Sequence, residues 1–180
     1  MALLEAHSTE LYEIGGGILY VAPWVGETPP EEGDYVDVGN CPQFAFELKI
    51  DKLEHKSTRG SRRTVDKRVI IETGYTLKFS LDEPSADNLA MWCKGVLDTA
   101  TIHGLEAPLQ EFAVRFVSDN YTGENKIYDF WRCDLAGTGG IKPIDLENFK
   151  VLEYEGVGLD DSANHADSAF FDVTVVEITV

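Results

Sequence analysis

Cysteine is scarce and poorly placed for cross-linking. Cys41, Cys93 and Cys133 form no CxxC pair and leave one thiol over. That argues against a disulfide framework or a zinc site and fits small thiols in a reducing compartment. Basic residues are also few, 15 against 32 acidic ones, for a net charge of -17. A surface this acidic has few of the Lys and Arg that release counterions from a phosphate backbone, so the chain is expected to be a poor general binder of nucleic acid. An anionic membrane surface is disfavoured for the same reason. No apolar run approaches the length of a membrane span. The acidic start MALLEAHSTELYE has no basic region, so a signal peptide is not expected, and the sequon at Asn120-Tyr121-Thr122 reads as coincidence.

The motifs of catalysis are missing as well. His7, His55, His103 and His165 are scattered, with no HxH or HxxxH pair. There is no GxSxG elbow and no GxxxxGK[ST] loop. Gly15–Gly17 and Gly137-Thr138-Gly139-Gly140 lack the frame of a phosphate loop and read as turns and hinges. The stretch 160–167 (DDSANHAD) clusters oxygen ligands around one imidazole. It fails EF-hand spacing, and a solvated acidic loop is the favoured reading over a hard-cation site. Neither an enzyme nor a cofactor is expected.

What is present is a globular composition, 43% hydrophobic and 26% charged, over 180 residues. That length supports one domain with a real core, taken as residues 1–180. Residues 1–17 read as an N-terminal arm in which the three glycines break any helix, followed by a short strand at 18–22. Residues 23–42 hold four of the seven prolines and several acids, a long acidic loop. In 44–51, Phe44, Phe46, Leu48 and Ile50 alternate with Ala45, Glu47, Lys49 and Asp51, the period of a half-buried strand. The phase slips near Lys52-Leu53, which suggests a bulge. A second long strand is expected at 69–81, and the polar stretch 56–66 makes the pair one hairpin with an extended tip. Pro84-Ser85 opens the only convincing helix, 84–96, with Leu89, Trp92, Cys93 and Val96 on its apolar face. Further strands are expected at 112–117, 127–135, 149–154 and 170–180. About seven or eight strands and one helix predict a mainly β fold, a β-sandwich or partly open barrel with one flanking helix.

Charge is unevenly spread. Eight of the fifteen basic residues lie in 49–68, opposed there by Asp51, Glu54 and Asp66 alone. This basic hairpin on an acidic body admits three readings: a solvated loop that resists aggregation, a nucleic-acid contact, or self-complementarity. The nucleic-acid reading lacks an interleaved set of stacking aromatics and works against the global field. Self-complementarity, the reading preferred, sets the basic tip of one copy against the acidic surface of the next, a heterologous contact that builds rings or filaments.

The order of these features resembles the major tail tube proteins of long-tailed bacteriophages with non-contractile tails. The resemblance is clearest over residues 36–92: Val38-Gly39-Asn40-Cys41-Pro42, the strand 44–53 with Glu54-His55, the basic loop, Thr76-Leu77-Lys78-Phe79, then 81–90 (LDEPSADNLA). It implies a structural subunit that assembles into stacked hexameric rings, with sheets of neighbouring copies joined into an inner β-barrel. Implied partners are further copies of the chain, a tape measure protein, and tail terminator and distal tail proteins. Double-stranded DNA would pass through without specific binding. The implied location is the virion tail, and the host cytoplasm during assembly. The resemblance assigns the inter-ring contact to the hairpin loop, here Lys56, Arg59, Arg62 and Arg63 flanked by Lys67 and Arg68. It assigns the lumen to the polar faces of the hairpin, Glu47, Lys49, Asp51, Thr76, Lys78 and Ser80, with acids of the 23–42 loop as possible contributors. Phe46, Leu48, Ile50, Tyr75, Leu77 and Phe79 would form the subunit core. Contractile tails and type VI secretion systems use the same tube fold and remain alternatives. So does a β-sandwich that binds carbohydrate or protein, for which Trp24 is the one tryptophan expected at the surface.

Overall fold

The computed structural model describes residues 12–58 and 62–176. In chain order the strands are β1 (Ile14–Pro23), β2 (Val36–Asp37), β3 (Gln43–Ser57) and β4 (Thr64–Leu81). The helix α1 (Ala86–Trp92) follows, then β5 (Val96–Asp98) and β6 (Thr101–His103), β7 (Phe112–Thr122), β8 (Asn125–Thr138), β9 (Leu152–Gly158) and β10 (Phe171–Val176). Eight strands form one antiparallel sheet, in the order β2-β1-β7-β8-β9-β4-β3, with β10 also on β8. β5 and β6 form a separate small hairpin.

The sheet folds over itself at β8. The first half of that strand pairs with β7 and β10, and its second half with β9. β3 thereby lies across the core from β7 and β8. Phe44 stacks on Phe116, with centroids 5.0 Å apart, and meets Phe130 edge-on; Phe46 contacts Tyr128, Phe130 and Phe171. Leu19, Leu77, Leu81, Val114, Leu135 and Leu152 fill the middle and are fully or almost fully buried. The result is a β-rich sandwich, not a closed barrel, with one helix on its flank.

Several sequence-based expectations are corrected. The glycines at 15–17 do not break the chain: they pair with Asn120, Asp119 and Ser118 of β7. A Cβ at Gly15 or Gly17 would collide with β7, so these glycines permit a close strand approach. The long loop expected at 56–66 is shorter, because β3 runs to Ser57 and β4 begins at Thr64. The helix spans 86–92 rather than 84–96; its expected cap holds, since the Ser85 side chain accepts a bond from the Asn88 backbone N–H. Asn88, not read as a core residue, is buried, donating from Nδ2 to the carbonyls of Val38 (2.9 Å) and Glu83 (2.8 Å). The strand expected at 149–154 lies at 152–158, and the β5–β6 hairpin was not expected at all. The N-terminal eleven residues, Arg59 and the last four residues of the C-terminal strand expectation lie outside the described residues.

Candidate assembly surfaces

β3 is an edge strand fifteen residues long. Its partner β4 is covered by β9 only over Thr76–Leu81. The rest of the hairpin therefore projects beyond the sheet, held by its own ladder, which shifts register after Asp51 and again after His55. The first shift is the bulge expected from the sequence. Bulges increase local twist and bend a strand, so they re-aim the outer arm.

This arm exposes apolar side chains. Leu48 (59% exposed), Ile50 (49%), Leu53, Val69, Ile70 and Ile71 all lie open. Leu48 and Ile50 were expected in the core. They continue the stripe of Phe44 and Phe46, but beyond the point where opposing strands cover it. Together with unpaired backbone groups along the edge of β3, such a surface is a template for another chain.

The basic residues expected in a loop lie mostly on strands. Lys56 is in β3, Lys67 and Arg68 are in β4, and among the described residues only Arg62 and Arg63 are basic residues of the turn. Two cross-strand ion pairs, Lys49 with Glu72 (2.6 Å) and Arg68 with Glu54 (2.8 Å), and a hydrogen bond between His55 Nδ1 and Asp66 (2.6 Å) brace the arm. The Glu72 carboxylate raises the pKa of Lys49 by hydrogen bonding and charge. Lys52, Lys56, Arg62, Arg63 and Lys67 make no ion pair among the described residues, so the end of the arm carries uncompensated positive charge.

Register fixes which residues share the opposite, polar face. Directly paired residues in an antiparallel ladder point the same way. Glu47 pairs with Thr76, Ala45 with Lys78, Gln43 with Ser80, and Asp51 with Glu72. β9 then sets Val157, Glu155 and Glu153 beside Thr76, Lys78 and Ser80. All six residues assigned to the lumen by the resemblance therefore lie on one open face. Glu47, Asp51, Glu72, Glu153 and Glu155 outnumber Lys49 and Lys78 there. Of the additional acids, Glu72 comes from β4 and the other two from β9, whose pattern of buried Leu152, Tyr154 and Gly156 alternating with exposed Glu153, Glu155 and Val157 is that of a half-buried strand. Glu32 of the 23–42 loop is drawn instead to Arg115 (2.6 Å), whose guanidinium also holds Asp129 and lies over Tyr35.

The 160–167 segment is tied into the fold at Asp161. Asp161 is buried and accepts bonds from Asn164 Nδ2 (2.8 Å) and, at 2.7 Å, pairs with His165 Nδ1. His165 stacks on Trp131 at 4.0 Å. No group of three or more His, Cys, Asp or Glu among the described residues could hold a metal ion. Trp24, expected at the surface, is buried, so it offers no stacking platform. Cys133 is fully buried, which pushes its thiol up to about 12.

Residues 12–101 match the model of a family described as protein of unknown function UCP028589. No curated protein matches the chain. Among solved structures it is similar to the tube-terminating cap of the anti-feeding prophage, with 9% identity and a TM-score of 0.40 over 98% of this chain and 95% of that one. It is also similar to a chain of the sheath–tube complex of an extracellular contractile injection system, PVC, in its extended state. There the identity is 10% and the TM-score 0.39, over 88% of each chain.

Proposed function

The chain belongs to the family of proteins of unknown function UCP028589, and from its geometry we propose that it is a structural, self-assembling subunit of a bacteriophage tail tube. The observation that carries this reading is the β3–β4 arm. A fifteen-residue edge strand with an exposed apolar stripe and a basic end offers free backbone pairing groups and apolar surface that a further chain would cover. Copies would pair edge to edge into hexameric rings, and the basic arm of one ring would meet acidic surface on the next. The acidic face shared by β3, β4 and β9 would line the bore. Duplex DNA is negative throughout, so it would find no binding site there and would pass. The tape measure protein would occupy the bore before the DNA, and the terminator and distal tail proteins would close the two ends. This role requires no catalytic step and no cofactor. The non-contractile form of the tail rests on the sequence resemblance over residues 36–92.

Negative-stain microscopy of concentrated protein tests the reading. Rings or tubes are expected from the unmodified chain. The double variant Arg62→Glu/Arg63→Glu should keep its circular dichroism and lose tube growth, because both side chains are exposed in the turn. Single particles at every concentration would overturn the proposal, and normal tubes from the variant would remove the electrostatic contact from it.

A further inference from the structure

The register of the sheet shows which edge can receive β3. At the base of the arm four strands stand side by side: β3, β4, β9 and the second half of β8. Three rows of residues cross all four. One row is Gln43, Ser80, Glu153 and Thr138; the next is Ala45, Lys78, Glu155 and Ala136; the third is Glu47, Thr76, Val157 and Asp134. β3 bounds these rows on one side, and residues 134–138 of β8 bound them on the other. β7 pairs with β8 only as far as Cys133, so residues 134–138 have a strand on one side alone among the described residues. Backbone groups along an antiparallel strand serve its two sides in alternation, so half of those in 134–138 point away from the sheet.

Sense and facing both match β3. β8 is antiparallel to β9, β9 to β4 and β4 to β3, so β8 is antiparallel to β3. Rotation about an axis along the strands keeps their direction. β3 of a second copy therefore meets β8 as an antiparallel neighbour, and the alternation continues through the joint. Leu135 and Gly137 face the core, where the Trp92 indole lies over Gly137. Asp134, Ala136 and Thr138 take the polar face beside Val157, Glu155 and Glu153. Phe44 and Phe46 of the second copy would extend the core side, and Ala45 and Glu47 the polar side. Asp134 is already held by Lys94, whose Nζ also donates to the Pro108 carbonyl (3.0 Å), so Glu47 of the second copy meets no unpaired carboxylate.

The other open edges match less well. β1 and β10 flank β7 and β8 in the layer across the core from β3, so a strand added there leaves the acidic face discontinuous. β4 is open only beyond Thr76, and β9 holds the place beside it at the level of the three rows. We infer that residues 134–138 of β8 are the acceptor edge for residues 43–47 of β3 in the next copy. The contact is heterologous, so each added copy offers a fresh donor and acceptor until a ring closes. This rests on the self-assembly reading above and specifies its lateral joint, leaving the basic end of the arm for contacts between rings.

Cysteine cross-linking of the full chain tests the joint. Residues directly opposite in an antiparallel pair have Cα atoms about 4.5 or 5.5 Å apart, a span that a disulfide bridges. Ala45→Cys is combined with Ala136→Cys, its neighbour when the rows of two copies meet level. It is combined separately with Thr138→Cys, its neighbour when the rows meet two residues out of step and Lys49 falls opposite Asp134. Ala45 is exposed and Ala136 and Thr138 are half-buried, so circular dichroism should be unchanged. On oxidation of assembled protein, one of the two pairs should give a ladder of cross-linked chains reaching hexamers. The ladder should vanish with reductant and be absent from dilute protein. The unmodified chain is the control for the native thiols of Cys41, Cys93 and Cys133. Dimers from Ala45→Cys alone would show β3 pairing with itself and overturn the inference. A ladder from Ala45→Cys with Thr174→Cys on β10, in place of the β8 pairs, would also overturn it, as would assembled protein in which neither β8 pair cross-links. In those cases rings or tubes have formed and the tube reading stands. Unmodified chain that stays monomeric throughout would overturn both readings.

Discussion

Tyr75 and Trp92 each lie against a glycine of a neighbouring strand. A Cβ on Gly158 would strike the Tyr75 ring, and one on Gly137 would strike the Trp92 indole. Tyr75 also packs on Phe130, Phe170 and Phe171 and donates its hydroxyl to the Arg132 carbonyl (3.1 Å). Trp92 performs the same service for α1. The helix is only seven residues long, too short to be stable by itself, and is held by contact with β8 and β9. Tyr154 assists, donating its hydroxyl to the Asn88 carbonyl (2.7 Å). We therefore expect Gly137→Ala to destabilise the fold by about 1–3 kcal/mol through overpacking, read as a lower urea midpoint with an unchanged slope. Full stability in that variant would mean that the indole can move aside freely. Asn88 shows why such sites escape a reading from sequence. The apolar face assigned from Leu89, Trp92, Cys93 and Val96 follows helical spacing, whereas the most enclosed polar group of the helix is an amide tying two loop carbonyls. Spacing carries no information about where distant carbonyls will fall.

Among the elements, those with a strong local period were legible. The alternation in 44–51 gave β3, its bulge and its pairing with β4, because half-buried strands impose period two on their own residues. The short hairpin of β5 and β6 has only three residues per strand, too few for any period. The glycines of β1 defeat a reading by propensity, in which glycine is a breaker, because here its lack of a side chain is what β7 requires. Leu48 and Ile50 were assigned to the core because their pattern matches Phe44 and Phe46. Pattern marks an apolar face; it does not say how far the rest of the same chain reaches across it. The six residues assigned to the polar face do share it, but the acids that β9 adds depend on a sheet neighbour about eighty residues away in sequence. The arm's own ladder has no second neighbour over most of its length, so its amides should exchange faster than those of Thr76–Leu81 in dilute protein. Hydrogen exchange of assembled material should then show protection spreading outward along 48–57 and 64–75. Equal exchange in dilute and assembled samples would mean that the arm takes no part in assembly.

At the scale of the whole molecule two electrostatic effects oppose each other. Bodies of charge -17 repel at long range, while the basic arm is attracted to acidic surface only near contact. The two respond differently to salt because the screening length falls from about 30 Å at 0.01 M to about 10 Å at 0.1 M and about 3 Å at 1 M. The first increase removes repulsion between approaching subunits and leaves close pairs largely intact. The second reaches the close pairs themselves, while burial of Leu48, Ile50 and their neighbours is little weakened. The concentration needed for assembly should therefore pass through a minimum near 0.1 M and rise again at 1 M. In the Arg62→Glu/Arg63→Glu variant most of the attraction is gone, so the rise at 1 M should shrink sharply and assembly should remain weaker at every salt concentration. Light scattering at the three ionic strengths separates the cases. Assembly of the unmodified chain that strengthens steadily through 1 M would show that apolar burial alone drives it, and the charge of the arm would then have to serve something other than joining subunits.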